Sequence, residues 1–482
     1  MKCGIRIPDS EHAVSVSLPR MQDVIGYETQ QPAVIRAICS GYPRFICHWM
    51  VQRVQAFLGS QVVAVCDQLA AEHLQNRVGQ QLDLISELPF GALRLPDGCS
   101  PALAQQVRHF LQHTGFRLSS RAAEDFLLQH GLLHDAVPDP EAITTEPEEY
   151  VLSYLAALYD TDARQLTLFP SGMSAFYAVF TALDAIQRPR QRTIWLQVGW
   201  LYLDTSAMLE RYAAETHVFG IDEWGALETY LHDHHAAVAG ITTEVMTNPL
   251  LQTADIVRLS QLCRRYNIPL LVDVSMPTPV NVDVFPYADV VIESLTKFAG
   301  GHADVMAGVA VLGADSDWAA KIQSRMMRSP PYVRDLRVLA HHMQDYRERM
   351  HGINANAALL TDYFENHPRV RAVFGARQMG SRAAYDAVRK HGGGYGGVLS
   401  VVFDKPLNAI YDRLALLKGP SFGTVFTLCM PYVYLAHYDL VSTPEGRALL
   451  HAHGVDPELL RISVGLEPAE DIIAAFDAVL NE

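Results

Sequence analysis

Two nearly unbroken apolar runs, Pro269-Leu-Leu-Val-Asp-Val274 and Ala288-Asp-Val-Val-Ile292, constrain the fold of this chain more tightly than any other feature. A strand exposed on one face alternates apolar and polar residues; a strand buried on both faces does not. Such runs predict an α/β fold, a mostly parallel sheet with helices on both faces. The surrounding pattern agrees. Leu166–Phe169, Thr193–Val198 and Ala236–Thr242 read as further strands, and Tyr150–Tyr159, Ala175–Ile186 and Asp255–Tyr266 carry helical spacing. A long helical pattern over Tyr332–Glu365 is followed by an apolar run at Val398–Phe403, a helix near Leu407–Leu417, a run at Leu460–Val464 and a last helix near Glu470–Leu480. That order predicts a smaller C-terminal α+β domain.

Residues 1–145 read differently. They mix short apolar runs with turn signals (Pro89, Gly91, Pro96, Gly98) and a helical stretch at Ala102–Gln112. They lead into Asp135–Glu149, a stretch rich in proline and acid that reads as an exposed connector. The predicted division is an N-terminal region over 1–145, a large domain over 146–330, and a linking helix with a small domain over 331–482.

Sheets of this class place ligands beyond the carboxyl ends of their strands. Two such ends carry reactive groups. The first apolar run reaches Asp273, and the second runs into Ser294-Leu-Thr-Lys297. Burying an unpaired ammonium is costly, and burial favours the neutral amine that Schiff-base formation requires. An acid on a neighbouring strand end suits a pyridinium nitrogen. Ser294 and Thr296 flank the lysine at a spacing that turns both hydroxyls toward one phosphate. A third end, Phe169-Pro-Ser171-Gly172-Met173-Ser-Ala175, runs from a strand into a helix, and glycine at a helix start permits a phosphate cradle.

Charge narrows the partners. The chain has 38 basic and 53 acidic residues, a formal charge of −15, which disfavours nucleic acid. Seven scattered cysteines, none spaced as CxxC, argue against a disulfide framework and for a reducing compartment. The first residues show no apolar signal core, and no uncharged run approaches the roughly 18 residues of a membrane helix. A cytoplasmic location without membrane contact is expected. His232-Asp-His-His235 reads as a solvated helix end rather than a metal site, and the glycine-rich His391–Gly397 precedes an apolar strand, the wrong context for a phosphate loop.

Taken in order, Ser171-Gly-Met173, Glu244-Val-Met-Thr-Asn248-Pro-Leu250, Asp273, Ser294-Leu-Thr-Lys297 and Arg461-Ile-Ser463-Val-Gly465-Leu-Glu467 resemble the Cys/Met metabolism family of fold-type-I pyridoxal-phosphate enzymes. The resemblance covers roughly residues 150–482. It is nearest to the fungal-type cystathionine γ-synthase branch, through His12–Pro19, Gly41–Phe45, Leu168–Ala175, Tyr202–Thr205 and Asn281–Lys297. It implies an aspartate-aminotransferase-like fold of about seven sheet strands and pyridoxal 5'-phosphate as cofactor.

By the same resemblance, Lys297 would bond the cofactor and shuttle protons, and Asp273 would partner the pyridine nitrogen. Ser171, Gly172, Met173, Ser294 and Thr296 would hold the phosphate, with Asn248 at the ring. Arg461 would grip the substrate α-carboxylate, assisted by Ser421. Two departures stand out. The Tyr and Arg clasp that usually precedes the cradle is absent there; Tyr42-Pro-Arg44 is the candidate, displaced by an insertion of about a hundred residues between His48 and Glu149. The usual stacking tyrosine is replaced by a segment offering Trp200 and Tyr202. The implied activity is γ-replacement on an activated homoserine by a thiol. The alternatives are γ-elimination, carbon–carbon bond formation at Cγ, or a non-catalytic binding protein of the same fold. A homodimer or homotetramer with shared active sites is implied.

Overall fold

The structure is a computed structural model that describes residues 2–38, 46–313 and 316–481. Its strands, in chain order, are β1 (Arg6–Ile7), β2 (Ser15–Val16), β3 (Val62–Val65), β4 (Asp83–Leu84), β5 (Gly91–Arg94), β6 (Leu166–Phe169), β7 (Ile194–Val198), β8 (Glu215–Phe219), β9 (Val238–Glu244), β10 (Leu270–Asp273), β11 (Val290–Glu293) and β12 (Gly308–Leu312). The C-terminal part adds β13 (Val370–Phe374), β14 (Val398–Phe403), β15 (Leu417–Lys418), β16 (Leu428–Pro431) and β17 (Leu460–Ser463).

Seven strands form the large sheet in the order β6-β12-β11-β10-β9-β7-β8. All neighbours run parallel except β12, which is antiparallel to both β11 and β6. All seven residues of β9 are buried, as are all four of β11, the burial on both faces that their composition demands. The five-stranded C-terminal sheet has the order β13-β14-β17-β16-β15. The predicted α/β class and smaller C-terminal sheet are both present.

Several elements differ from the sequence reading. β8, with sequence ETHVF, is an edge strand too polar to stand out, and β12 is a five-residue apolar run that was not singled out. The single helix expected over Tyr332–Glu365 is two, Val333–Met343 and Tyr346–Asn366. The helix near Leu407–Leu417 shortens to Leu407–Tyr411, and its end becomes β15. The supposed connector is pinned in part: Asp139 pairs with Arg121 and Arg334, and Glu124 accepts a hydrogen bond from Val137 N.

The first 145 residues serve two cores. Val16, Leu18, Val24 and Tyr27 pack with Leu399, Val401, Met430 and Ile462 of the C-terminal sheet. Farther on, β3, β4 and β5 make a small antiparallel sheet. Phe110 and Phe116 then pack against Tyr177 in the helix Gly172–Gln187, and Arg77 Nε donates to the Tyr177 hydroxyl at 2.8 Å. The inserted residues thus roof the helix that begins at Ser171-Gly172. Among the described residues no helix is long and apolar enough to cross a membrane.

Close packing fixes one position in the sheet. A Cβ on Gly240 would lie 2.8 and 2.9 Å from ring atoms of Trp195, which is fully buried against Phe180. Gly240→Ala should therefore destabilise the protein by about 1–3 kcal/mol, the usual cost of overpacking. Urea unfolding of the variant measures this, and an unchanged midpoint would contradict the packing.

Candidate active site

The cradle follows from the capping chemistry at the start of the helix Gly172–Gln187. Ser171 Oγ accepts from Ser174 N at 3.1 Å, and Ser171 N donates to Ser174 Oγ at 2.8 Å. The N–H groups of Gly172 and Met173 belong to the first turn, where no carbonyl of their own helix can reach them. Both residues line one cavity. Glycine is required at 172 because a Cβ there would sit 2.8 Å from Ser294 Cβ. The turn after β11 therefore presses directly on the helix start.

Register supplies the rest. Asp273 in β10 pairs with Glu244 in β9 and with Ile292 in β11, so two carboxylates stand side by side at the carboxyl ends of adjacent strands. Burial pushes both pKa values upward, and the Asp273 charge further opposes ionisation of Glu244. Asp273 accepts from Ser275 N at 2.7 Å; Glu244 accepts from Tyr202 N. One strand over, Lys297 is buried, and its Nζ donates to Ser421 Oγ at 3.0 Å and lies 5.0 Å from the centre of the Phe422 ring.

Lys297 also lines a second cleft beside the first, together with Tyr202, Ser421, Phe422, Tyr432 and Arg461. Arg461 is buried in β17. Its Nη1 donates to Asn248 Oδ1 at 3.2 Å and its Nη2 to Ser421 O at 3.0 Å. The guanidinium carbon lies 4.5 Å from the Tyr432 ring centre and 5.4 Å from that of Phe422. This holds the planar fork in one orientation, the arrangement that suits a carboxylate. Ser421 has φ of 103°, a strained backbone for a residue with a side chain, and strain of this kind gathers at working sites.

The main cavity encloses about 870 Å³ including its mouth. Lys297, Asp273, Ser171, Gly172, Met173, Ser294, Asn248 and Tyr202 all line it. Trp200 does not: its ring faces His437 and His453, 5.4 and 5.7 Å away, so of the two proposed stacking aromatics only Tyr202 reaches the site. Thr296 turns inward as well; its hydroxyl is engaged with Ala307 N and O rather than with the cradle. Tyr42 and Arg44 lie outside the described residues. Glu244, Gly115 and Arg117 line the cavity without having been singled out. Glu244 opens a motif already noticed and was open to discovery from its place at a strand end. Gly115 and Arg117 belong to the insertion, where no motif marks them.

An amine, a buried acid and an anion cradle within one cavity are what a pyridine aldehyde bearing a phosphate requires, so the residues fit pyridoxal 5'-phosphate. Glycine at 172 keeps the cradle open, since a side chain there would meet Ser294.

Comparison with known proteins agrees. The model of the family described as Cys/Met metabolism PLP-dependent enzyme matches residues 144–481. The L-2-amino-4-chloropent-4-enoate dechlorinase/desaturase of Streptantibioticus cattleyicolor is 41% identical, over 98% of this chain and 96% of that protein. Cystathionine gamma-synthase of Neurospora crassa is 27% identical, over 99% and 98% of the two chains. Among solved structures, cystathionine gamma synthase from Xanthomonas oryzae pv. oryzae superposes with a TM-score of 0.59 at 21% identity, covering 70% of this chain and 85% of its own.

The buried carboxylate pair has a pH signature. Because the folded pKa of Glu244 is raised, the unfolded chain binds fewer protons above roughly pH 4.3, the ordinary glutamate value. The stability associated with neutral Glu244 is complete below that pH and is lost as pH rises toward the folded pKa. Glu244→Gln apoprotein should therefore gain thermal stability relative to the unsubstituted apoprotein as pH rises from 4 to 8. A difference in Tm that does not vary with pH would refute the shift.

Proposed function

The chain belongs to the Cys/Met metabolism PLP-dependent enzymes, and on that footing we propose that it eliminates a halide from a small γ- or vinyl-halogenated α-amino acid. The observation that carries this reading is the disposition of cations. Among the described residues, three cationic side chains line the main cavity and the adjoining cleft: Lys297, Arg461 and Arg117. Lys297 is committed to the cofactor, Arg461 is oriented for an α-carboxylate, and Arg117 lies beside the cradle. None is left for the second carboxylate that an incoming cysteine or a succinyl leaving group brings. The remaining lining includes Leu111, Met173, Phe176, Met246, Met276 and Met306, which suits an apolar side chain. The relationship to the dechlorinase/desaturase over nearly the whole chain supports the same choice.

Bound pyridoxal 5'-phosphate supplies an electron sink for the charge left at Cα. The chain's own residues do the rest. Gly172, Met173 and Ser294 would hold the phosphate, and Asp273 would keep the pyridine nitrogen protonated, a charge that in turn favours ionised Asp273 over the neutral acid. Arg461, steadied by Asn248 and the Ser421 carbonyl, receives the substrate carboxylate and so fixes which bond at Cα faces Lys297. Lys297 Nζ takes the Cα proton and carries protons between substrate carbons, with Ser421 Oγ 3.0 Å away to hold the amine in place. Tyr202 lines both spaces and would cover the ring. The net change is loss of HX, which leaves one further unsaturation and needs no oxidant.

A second reading, γ-replacement on an activated homoserine, is favoured by the alignment with Neurospora crassa cystathionine gamma-synthase over 99% of this chain. Product analysis separates the two. Incubated with 2-amino-4-chloropent-4-enoate, the holoenzyme should release chloride and give a product lighter by HCl. It should form no thioether from O-acetyl- or O-succinylhomoserine and cysteine. Thioether formation without chloride release would establish replacement. Lys297→Ala should lower chloride release by at least a factor of about a thousand and abolish the long-wavelength absorption of the bound cofactor. Retention of that band would remove Lys297 from its role.

A further inference from the structure

Arg117 is a half-buried cation with no assigned task. It lies in the insertion, outside the residues matched by the family, in a segment tied down on both sides. Arg117 bridges Val65, and Cys66 N donates to Phe116 O at 3.1 Å. Phe116 is fully buried against Tyr177. On the other side Ser171 Oγ donates to Gly115 O at 3.3 Å. A Cβ on Gly115 would come within 2.1 Å of Ser171 Oγ, and φ at Gly115 is +72°, so only glycine permits the approach. The contact presses the insertion onto the cap of the cradle helix.

Arg117 lines the same cavity as Gly172, Met173 and Ser294, and it also lines a neighbouring cavity together with Cys47 and Asp67. Among the described residues it pairs with no carboxylate, and its Nε is buried with no hydrogen-bond partner. The Cys47 thiol is hydrogen-bonded to the guanidinium, while burial pulls the pKa of Arg117 down. By contrast, Arg121, four residues on, is engaged by Asp139, Asp335 and Asp304 O. A guanidinium withdrawn from water without an anion is unfavourable, and a phosphate beside it would remove that cost.

We infer that Arg117 donates to the phosphate of pyridoxal 5'-phosphate, so that the insertion supplies, from the same chain, a cationic ligand completing the cradle of Gly172, Met173 and Ser294. The inference rests on the cofactor and not on the choice between elimination and replacement.

The test compares the cofactor with pyridoxal, which lacks the phosphate. Apoproteins of the unsubstituted chain, Arg117→Gln and Arg117→Lys are titrated with each. Loss of a charge-assisted contact should raise the Kd for pyridoxal 5'-phosphate by about 10- to 100-fold in Arg117→Gln, with pyridoxal changed by less than about 3-fold. Arg117→Lys should fall between, since a point charge replaces the fork. Millimolar inorganic phosphate should raise the Tm of the unsubstituted apoprotein more than that of either variant. Equal weakening of both compounds would show a structural role and overturn the inference. So would unchanged cofactor affinity with a raised KM for the amino acid, which would place the guanidinium on the substrate instead. Should Arg117→Gln not fold, Arg117→Lys and the phosphate shift carry the same comparison.

Discussion

The parallel register of β9, β10 and β11 is the constraint on which the site depends. It sets Glu244 beside Asp273 and Asp273 beside Ile292, so that the turn leaving β11 brings Ser294 against Gly172 and delivers Lys297 into the same space. A slip of one residue would turn Asp273 to the opposite face of the sheet and remove the acid from the cavity. Burial of these strands on both sides resists that slip, because every residue of β9 and β11 has packing to lose. The apolar runs that specify the fold are therefore also what positions the polar groups at their ends.

Around this frame the chain divides the labour between two cores. The C-terminal sheet carries Arg461 in β17 and borrows Val16, Leu18 and Tyr27 from the start of the chain to complete its packing. The large sheet carries the acid and the amine. Ser421, which bonds Lys297 through its side chain and Arg461 through its carbonyl, joins the two. Its left-handed backbone is the local strain that lets one residue face both ways.

Much of this was legible in the sequence, and the gaps have physical causes. Asp273 and Lys297 stood out because each is a charge at the end of an apolar run. Arg461 was placed by its motif. β8 was hidden because an edge strand does not need apolar residues on both faces, and its sequence is largely polar. Trp200 and Tyr202 lie two apart in a turn, where no periodicity says which side chain faces the ligand; only the packing of Trp200 on His437 and His453 decides it. Arg117 was invisible for a stronger reason. What distinguishes it is that among the described residues it pairs with no carboxylate, a property of three-dimensional neighbours that no spacing in its own segment encodes.

The contact between Gly115 and Ser171 joins parts of the chain that are 56 residues apart and only one of which belongs to the family's shared region. Roof and cap are fitted to each other at a distance that tolerates no side chain. Exchange of the inserted segment between relatives would therefore have to carry the matching turn with it. A chimera joined without regard to that fit would leave its ligand pocket misshapen although every residue of the conventional motif was intact.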